Sequence, residues 1–316
     1  MTFISYAQNL EDVMLWRALK HIDQGFYVDV GAQDPIFDSV TQAFSERGWS
    51  GINIEPVYSF YERLCRERPL DINLPIAAGN VNGRLIFYEI PGTGLSTVNK
   101  NIAQIQRESG WTVEEREVSV QTLNQILQEH VNGPIHFLKI DVEGTEELVL
   151  QGLDLSHWRP WILVIEATKP LSNETNYHVW ESYVLAAEYK LVYFDGLNRF
   201  YLAREHFDLA EAFKVPPNVF DNFMRNREVA VFTEQISLLN NQIQNLSQVL
   251  DEREQKIHTL LQTISARDQE LSAHNQELSQ VYGSKSWRIT APLRFLLEKE
   301  RTLLKVIARL FPYNNR

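Results

Sequence analysis

The chain has 316 residues, 44% of them apolar, enough for one large domain with an appendage or for two modest domains with real cores. Its single cysteine, Cys65, excludes an intrachain disulfide framework and a thiolate-rich metal site, fits a reducing compartment, and reads most simply as core filling. The net charge of −11 is unevenly spread: residues 285–316 hold eight Lys or Arg against two Glu, a net of +6, which leaves −17 for residues 1–284 and disfavours a nucleic-acid partner.

The opening residues, MTFISYAQNLEDVMLWRALK, lack a basic region followed by an apolar run, and no window reaches the roughly 18 apolar residues of a membrane span. A cytoplasmic protein, soluble or peripheral on the inner face of a membrane, is the expectation. YVDV (27–30), GINIE (51–55), NLPIAA (73–78), LIFYEI (85–90), FLKIDV (137–142) and WILVIEA (161–167) read as strands. VTQAFSERG (40–48), SFYERLCRE (59–67) and EELVLQGLD (146–154) read as helices, with apolar positions three and four apart. This alternation predicts an α/β fold with a doubly wound, mostly parallel, Rossmann-like sheet over residues 1–232. YKLVYFD (189–195) and REVAVFT (227–233) suggest further strands at the sheet edge.

Residues 233–282 change composition and carry a seven-residue register, with Ile236, Ile243, Leu250, Ile257, Ile264, Leu271 and Leu278 at position a. The d positions begin with Leu239 and Leu246 but include Arg253, Arg267 and His274. The pattern predicts a coiled coil, with isoleucine at a and leucine at d favouring a parallel homodimer whose distal half is looser. A lone surface helix is the alternative. Residues 283–316 form a basic amphipathic tail, with Pro292 in its first turn and Leu293, Leu296, Leu297, Leu304, Ile307 and Phe311 on its apolar side. That tail suits an anionic membrane surface or a protein partner.

The turn FYVDVGAQDPIFDS (26–39) follows the first strong strand with one glycine, Gly31, where a dinucleotide fingerprint has three. Ala32, Gln33, Asp34 and Pro35 stand where a diphosphate needs bare amides, so NAD and FAD are disfavoured. A cofactor without phosphates asks for less: a turn after strand one, an acid after strand two for ribose hydroxyls, and polar groups after strands three and four. Asp29 and Gly31, Glu55 before Pro56, Ala78 and Asn80, and Asp141 meet those needs, because the carboxyl ends of parallel strands line one crevice. S-adenosylmethionine fits that arrangement.

YAQNLEDVML (6–15), YVDVGAQDP (27–35), NIEPVYSFYERL (53–64), GTGLSTV (92–98), FLKIDVEGTEELVLQG (137–152) and VIEATKP (164–170) together resemble the FkbM-type methyltransferases over about residues 4–230. The resemblance implies class I S-adenosylmethionine-dependent O-methylation, often of sugars and polyketides. It assigns Asp29 and Gly31 to the cofactor turn, Glu55 to the ribose, and Asp141, Glu143 and Gly144 to a signature closing the pocket. GAQDP departs from the GANxG of many relatives. DGLNRFYLAREH (195–206) and PPNVFDNF (216–223) resemble a sub-group associated with bacterial surface polysaccharides, and SKSWRITAPLR (284–294) is similar to the ends of polysaccharide-assembly proteins.

Methyl transfer to an alcohol needs in-line alignment and a base for the hydroxyl proton. Asp141, Glu143, Glu166 and His136 are the candidates, Asp141 with Glu166 foremost, while His136, just before a strongly apolar strand, reads more readily as a structural histidine. The acids have an alternative use in holding a divalent cation, although no compact metal motif is present. Lys139 suits orienting Asp141 or snorkelling at a sheet edge. Loop 92–101 suits a cover beside the site, with Ser96 and Thr97 as contacts. Trp49, Trp158, Trp161, Tyr193, Phe194 and Tyr201 are candidates for stacking on a sugar or for packing. The leading reading is a sugar-directed O-methyltransferase of surface-polysaccharide synthesis. Its alternatives are a non-catalytic polysaccharide-assembly or glycosyltransferase-binding protein and a lipid or polyketide O-methyltransferase.

Overall fold

The computed structural model of the chain describes residues 2–310. It divides into two compact units, Met1–Phe232 and Thr233–Arg316.

The first unit is α/β with mixed sheets. Its strands are β1 Phe3–Ser5, β2 Phe26–Val30, β3 Ser50–Ile54, β4 Ile72–Leu74, β5 Ala77–Gly79, β6 Gly83–Glu89, β7 Glu114–Thr122, β8 Phe137–Ile140, β9 Ile162–Glu166, β10 Tyr189–Phe194, β11 Asn198–Ala203 and β12 Phe223–Arg225. Seven of them form one sheet in the order β10-β11-β9-β8-β2-β3-β4, parallel from β9 to β4, with β11 antiparallel to both neighbours. A smaller sheet, β5-β7-β6, has β5 parallel and β6 antiparallel to β7, and β1 pairs in parallel with β12.

The central strands are covered on both faces, which explains their unbroken apolar runs. Val28, Val30, Ile52, Ile54, Leu138, Ile140, Leu163 and Ile165 point into one core layer, and Tyr27, Phe137, Ile162 and Val164 into the other. Because strand side chains alternate, Asp29 and Lys139 point to the second layer, and the β2–β8 register sets them side by side.

Several expectations change. NLPIAA is two strands in two sheets: Pro75 between them has no amide hydrogen to continue the ladder, so the chain leaves the main sheet after Leu74. LIFYEI belongs to the smaller sheet as β6. The helix expected over 40–48 is one turn, Gln42–Ser45. YKLVYFD is a strand, but REVAVFT begins the helix Asn226–Gly283, where the 3.6-residue periodicity of the following segment overrides its local strand preference. Cys65 is exposed on the helix Tyr58–Glu67 and fills no core; Phe60 and Leu64 are that helix's buried residues. NRFYLA, read from sequence only as part of a family likeness, forms β11.

The second unit continues that 58-residue helix, followed by the helices Lys285–Ile289 and Ala291–Leu310. Pro292 lies in the first turn of the last helix. Phe311 lies outside the described residues, as do the side chains of Ile307 and Arg309. Within the long helix the a-position residues from Ile236 to Leu278 are exposed by 49–61%. Among the described residues no helix is long and apolar enough to cross a membrane.

Candidate functional site

A cavity of about 240 Å³ opens at the carboxyl ends of β2, β3 and β8. Its edge is the turn after β2. Gly31 has φ +79°, and a Cβ there would lie 1.9 Å from the backbone oxygen of Asp141, so only glycine lets the ends of β2 and β8 approach this closely. Gln33 is also left-handed, at φ +50°. The turn is braced from behind: Asp34 accepts from the amides of Ile36 and Phe37 at 2.9 Å and pairs with Arg63. The buried Arg68 donates to the Pro35 carbonyl, to Ser39 Oγ at 2.6 Å and to Thr41 Oγ1. Side chains that would obstruct a diphosphate thus serve as the attachment of this turn.

Glu55 ends β3 with its carboxylate buried in the cavity wall. Oε1 accepts from the Val57 amide at 2.7 Å and Oε2 from the Gln33 amide at 2.8 Å, leaving further lone pairs for a ligand. Burial pushes this acid up to about 7, against the two amides and the Lys139 cation, which pull it down. Beyond it Val57, Phe60 and Phe87 form an apolar cluster with Val98 packed against it. All four line the cavity.

Lys139 lines the same cavity. Its Nζ donates to the Gly31 carbonyl at 2.8 Å and lies 3.2 Å from Asp29 Oδ1 and 3.5 Å from Asp141 Oδ2. Burial alone would favour the neutral amine, but Asp29 and Asp141 more than offset this and hold it charged. Asp29 is buried behind it, also accepting from Thr41 Oγ1 at 3.0 Å. A chain of polar contacts therefore runs from Arg68 through Thr41, Asp29 and Lys139 to Gly31 and Asp141.

The KIDVEG turn follows β8. Glu143 and Gly144 take φ of +53° and +89°, and Glu146 accepts from the amides of Val142 at 3.2 Å and Gly144 at 3.0 Å. Thr97 Oγ1 donates to the Glu143 carbonyl at 3.1 Å, tying loop 92–101 to this turn, while Thr93, Gly94, Leu95 and Ser96 line the cavity. Burial, then Asp141 and Glu146, push Glu143 up; burial, then Asp141, Glu143 and Glu146, push Glu166 up. Both directions favour a protonated carboxyl, the wrong form for a base.

Of the residues singled out from sequence, Gly31, Ala32, Glu55, Pro56, Ala78, Asp141 and Glu143 line this cavity. Asp29 lies behind the wall, 3.2 Å from the Lys139 ammonium. Asn80 is not among the lining residues: one residue past β5 it donates to Gln151 Oε1 at 3.1 Å. Glu166 is 7% exposed at the end of β9, outside the lining, with its Oε2 unpartnered among the described residues. His136 precedes β8 and so stands at the opposite end of that strand from Asp141. Its Nδ1 accepts from the Phe26 amide at 3.0 Å, its ring packs edge-on against Trp49 and tilted against Trp161, and burial lowers its pKa. None of the six aromatics considered for a sugar lines the cavity, and Trp49 and Tyr201 are buried in the core. Among the described residues no group of three or more His, Cys, Asp or Glu is placed to hold a metal ion.

Sequence reasoning passed over Phe60, Phe87, Gln8, Asp38 and Arg68. The two phenylalanines looked like ordinary apolar positions of a helix and a strand. Gln8 and Asp38 reach the cavity only because the segment after β1 bridges to the turn at Asp38.

A search of curated proteins found no match to the chain. The family model of the methyltransferase FkbM domain matches residues 29–191, just over half of the chain, from Asp29 through the KIDVEG turn to β10. The chain therefore belongs to the FkbM methyltransferase family, enzymes that transfer a methyl group from S-adenosylmethionine.

Proposed function

We propose that this methyltransferase acts on a hydroxyl of a sugar or surface glycan. The observation that carries the cofactor placement is the cavity itself, which is lined together by an acid suited to ribose, an apolar cluster suited to adenine and a glycine turn suited to the methionine part. The strand order, with one antiparallel strand inserted next to β9, agrees with a class I methyltransferase sheet over residues 1–232. When bound there, S-adenosylmethionine supplies an electrophilic methyl group on a positively charged sulfur.

The chain's own residues would then act as follows. Glu55 accepts from ribose hydroxyls on lone pairs its two amide partners leave free. Phe60 and Phe87 enclose the base, and Gly31 keeps the wall thin enough for close approach. Asp141 receives the proton of the acceptor hydroxyl as the oxygen–methyl bond forms, oriented by Lys139 at 3.5 Å. Glu143 and Glu166 are less suited to that step, since their surroundings favour the protonated form. His136 is assigned a structural role. No metal ion is needed by this scheme.

Residues 233–282 are proposed to dimerise as a coiled coil, and the basic tail to meet polysaccharide-assembly proteins or the anionic inner face of a bacterial membrane. Support comes from the exposed heptad face, the net +6 of residues 285–316 and the sequence likeness of residues 284–294. The test is methyl transfer from labelled S-adenosylmethionine into glycan extracted from a deletion strain. Cofactor binding without transfer into any glycan, lipid or polyketide acceptor would favour the non-catalytic assembly role.

A further inference from the structure

We propose that the acceptor lies in a groove running from the cofactor cavity past Gln8 and Asp38 to Arg225 and Arg227, and that it is a sugar bearing an anionic group, a carboxylate or a phosphate. This rests on the sugar-methylation reading above and narrows it. A second, smaller cavity adjoins the first and shares Gln8 and Asp38 with it; Phe37, Arg225 and Arg227 also line it.

The backbone places these residues together. β1 is the spine: Ser5 pairs with Arg225 on β12, and Ala7, two residues on, bridges to Asp38. Gln8 follows at the cavity mouth. Gln8 is three residues beyond Ser5, the residue paired with Arg225, which at about 3.3 Å per extended residue is at most about 10 Å along the chain, a reach on the scale of a glycosyl unit and its substituent.

The chemistry of the groove differs from that of the body around it. Residues 1–284 carry −17, yet the lining here holds two arginines and one carboxylate, with Glu228 beside it accepting from the Arg225 amide at 3.2 Å. The guanidinium of Arg225 has no hydrogen bond or ion pair among the described residues. Arg227 is 72% exposed at its side chain and pairs with Asp38 at 2.8 Å, an interaction an incoming anion can replace at small cost. Asp38 itself sits at φ +56° and is held by the Ala7 bridge, so its position at the junction is set by the backbone. Among the described residues Gln8 makes no side-chain hydrogen bond, leaving both its donor and its acceptor for sugar hydroxyls. Phe37, 57% exposed, offers an apolar face beside them. A planar guanidinium pair matches carboxylate and phosphate oxygens, which a neutral sugar lacks.

The test uses the full chain saturated with S-adenosylhomocysteine and compares binding of glucose, glucuronate and glucose 1-phosphate by saturation-transfer NMR. At least one anionic sugar is expected to bind about three- to tenfold more tightly than glucose, and which one does so identifies the carboxylate or the phosphate as the source. The preference should vanish in the Arg225→Gln/Arg227→Gln double variant, whose unchanged affinity for S-adenosylhomocysteine would show it folded. Equal binding of all three sugars, or a preference that survives in the double variant, overturns the groove assignment. Efficient methyl transfer into a neutral glycan, undiminished in the double variant, would overturn it while leaving sugar methylation intact. Absence of transfer into any glycan would remove both.

Discussion

Glu55 offers the sharpest test of the proposed cofactor site, because its carboxyl is held up to about 7 from an ordinary 4.5 by burial, and ribose hydroxyls bond best to its ionised form. If only the ionised form binds, about nine-tenths of the protein is competent one pH unit above that value and about one-tenth one unit below. Affinity for S-adenosylmethionine should therefore fall about tenfold from pH 8 to pH 6, on the order of 1.4 kcal/mol, with release of nearly one proton on binding at the lower pH. Isothermal calorimetry in two buffers of different ionisation enthalpy reads both quantities. Adenosine, which has no group titrating in this window, serves as a second ligand. The Glu55→Gln variant should bind more weakly with a flat profile. The same shift has an opposite consequence for folding: the native value lies above the unfolded one, so Glu55's contribution is fully present below about 4.5 and lost as pH rises through about 7, on the order of 3 kcal/mol in all. A flat profile in the wild-type protein, or the same slope in Glu55→Gln, would refute the ribose assignment.

Three further outcomes are expected. Gly31→Ala meets the Asp141 carbonyl and requires a left-handed alanine, so it should lower stability by about 2–4 kcal/mol in urea titration and weaken cofactor binding; wild-type values would defeat the close-approach argument. Lys139→Met leaves Asp29 as a buried, uncompensated charge and should cost about 3–5 kcal/mol at neutral pH, whereas the Asp29→Asn/Lys139→Met pair should recover part of that loss; no recovery would mean the two residues are not coupled. The full chain should be a dimer at micromolar concentration by light scattering, and Ile243→Lys with Leu250→Lys should weaken association at least about tenfold, while a monomeric wild-type protein would end the coiled-coil proposal.

Local pattern alone determined much of this protein. The buried runs around Val28, Ile52, Leu138 and Leu163 announce central strands because covered parallel strands have no polar face to interrupt them. That Gly31, Glu55 and Asp141 share one cavity was legible because each ends or follows such a strand, and parallel strands deliver their ends to one edge. Tertiary structure decided what depends on contacts between distant segments. Past Pro75 the chain enters another sheet, where Ala78 lines the cavity and Asn80, one residue beyond the strand, donates to Gln151. Lys139 remained ambiguous in the sequence, since its role comes from a register that sets it beside Asp29, 110 positions away in the chain. Arg68 carried no signal at all, yet its burial holds the turn at Pro35. His136 and Asp141 lie five positions apart in sequence and at opposite ends of one strand, because an extended chain carries neighbours apart as surely as a folded sheet brings strangers together.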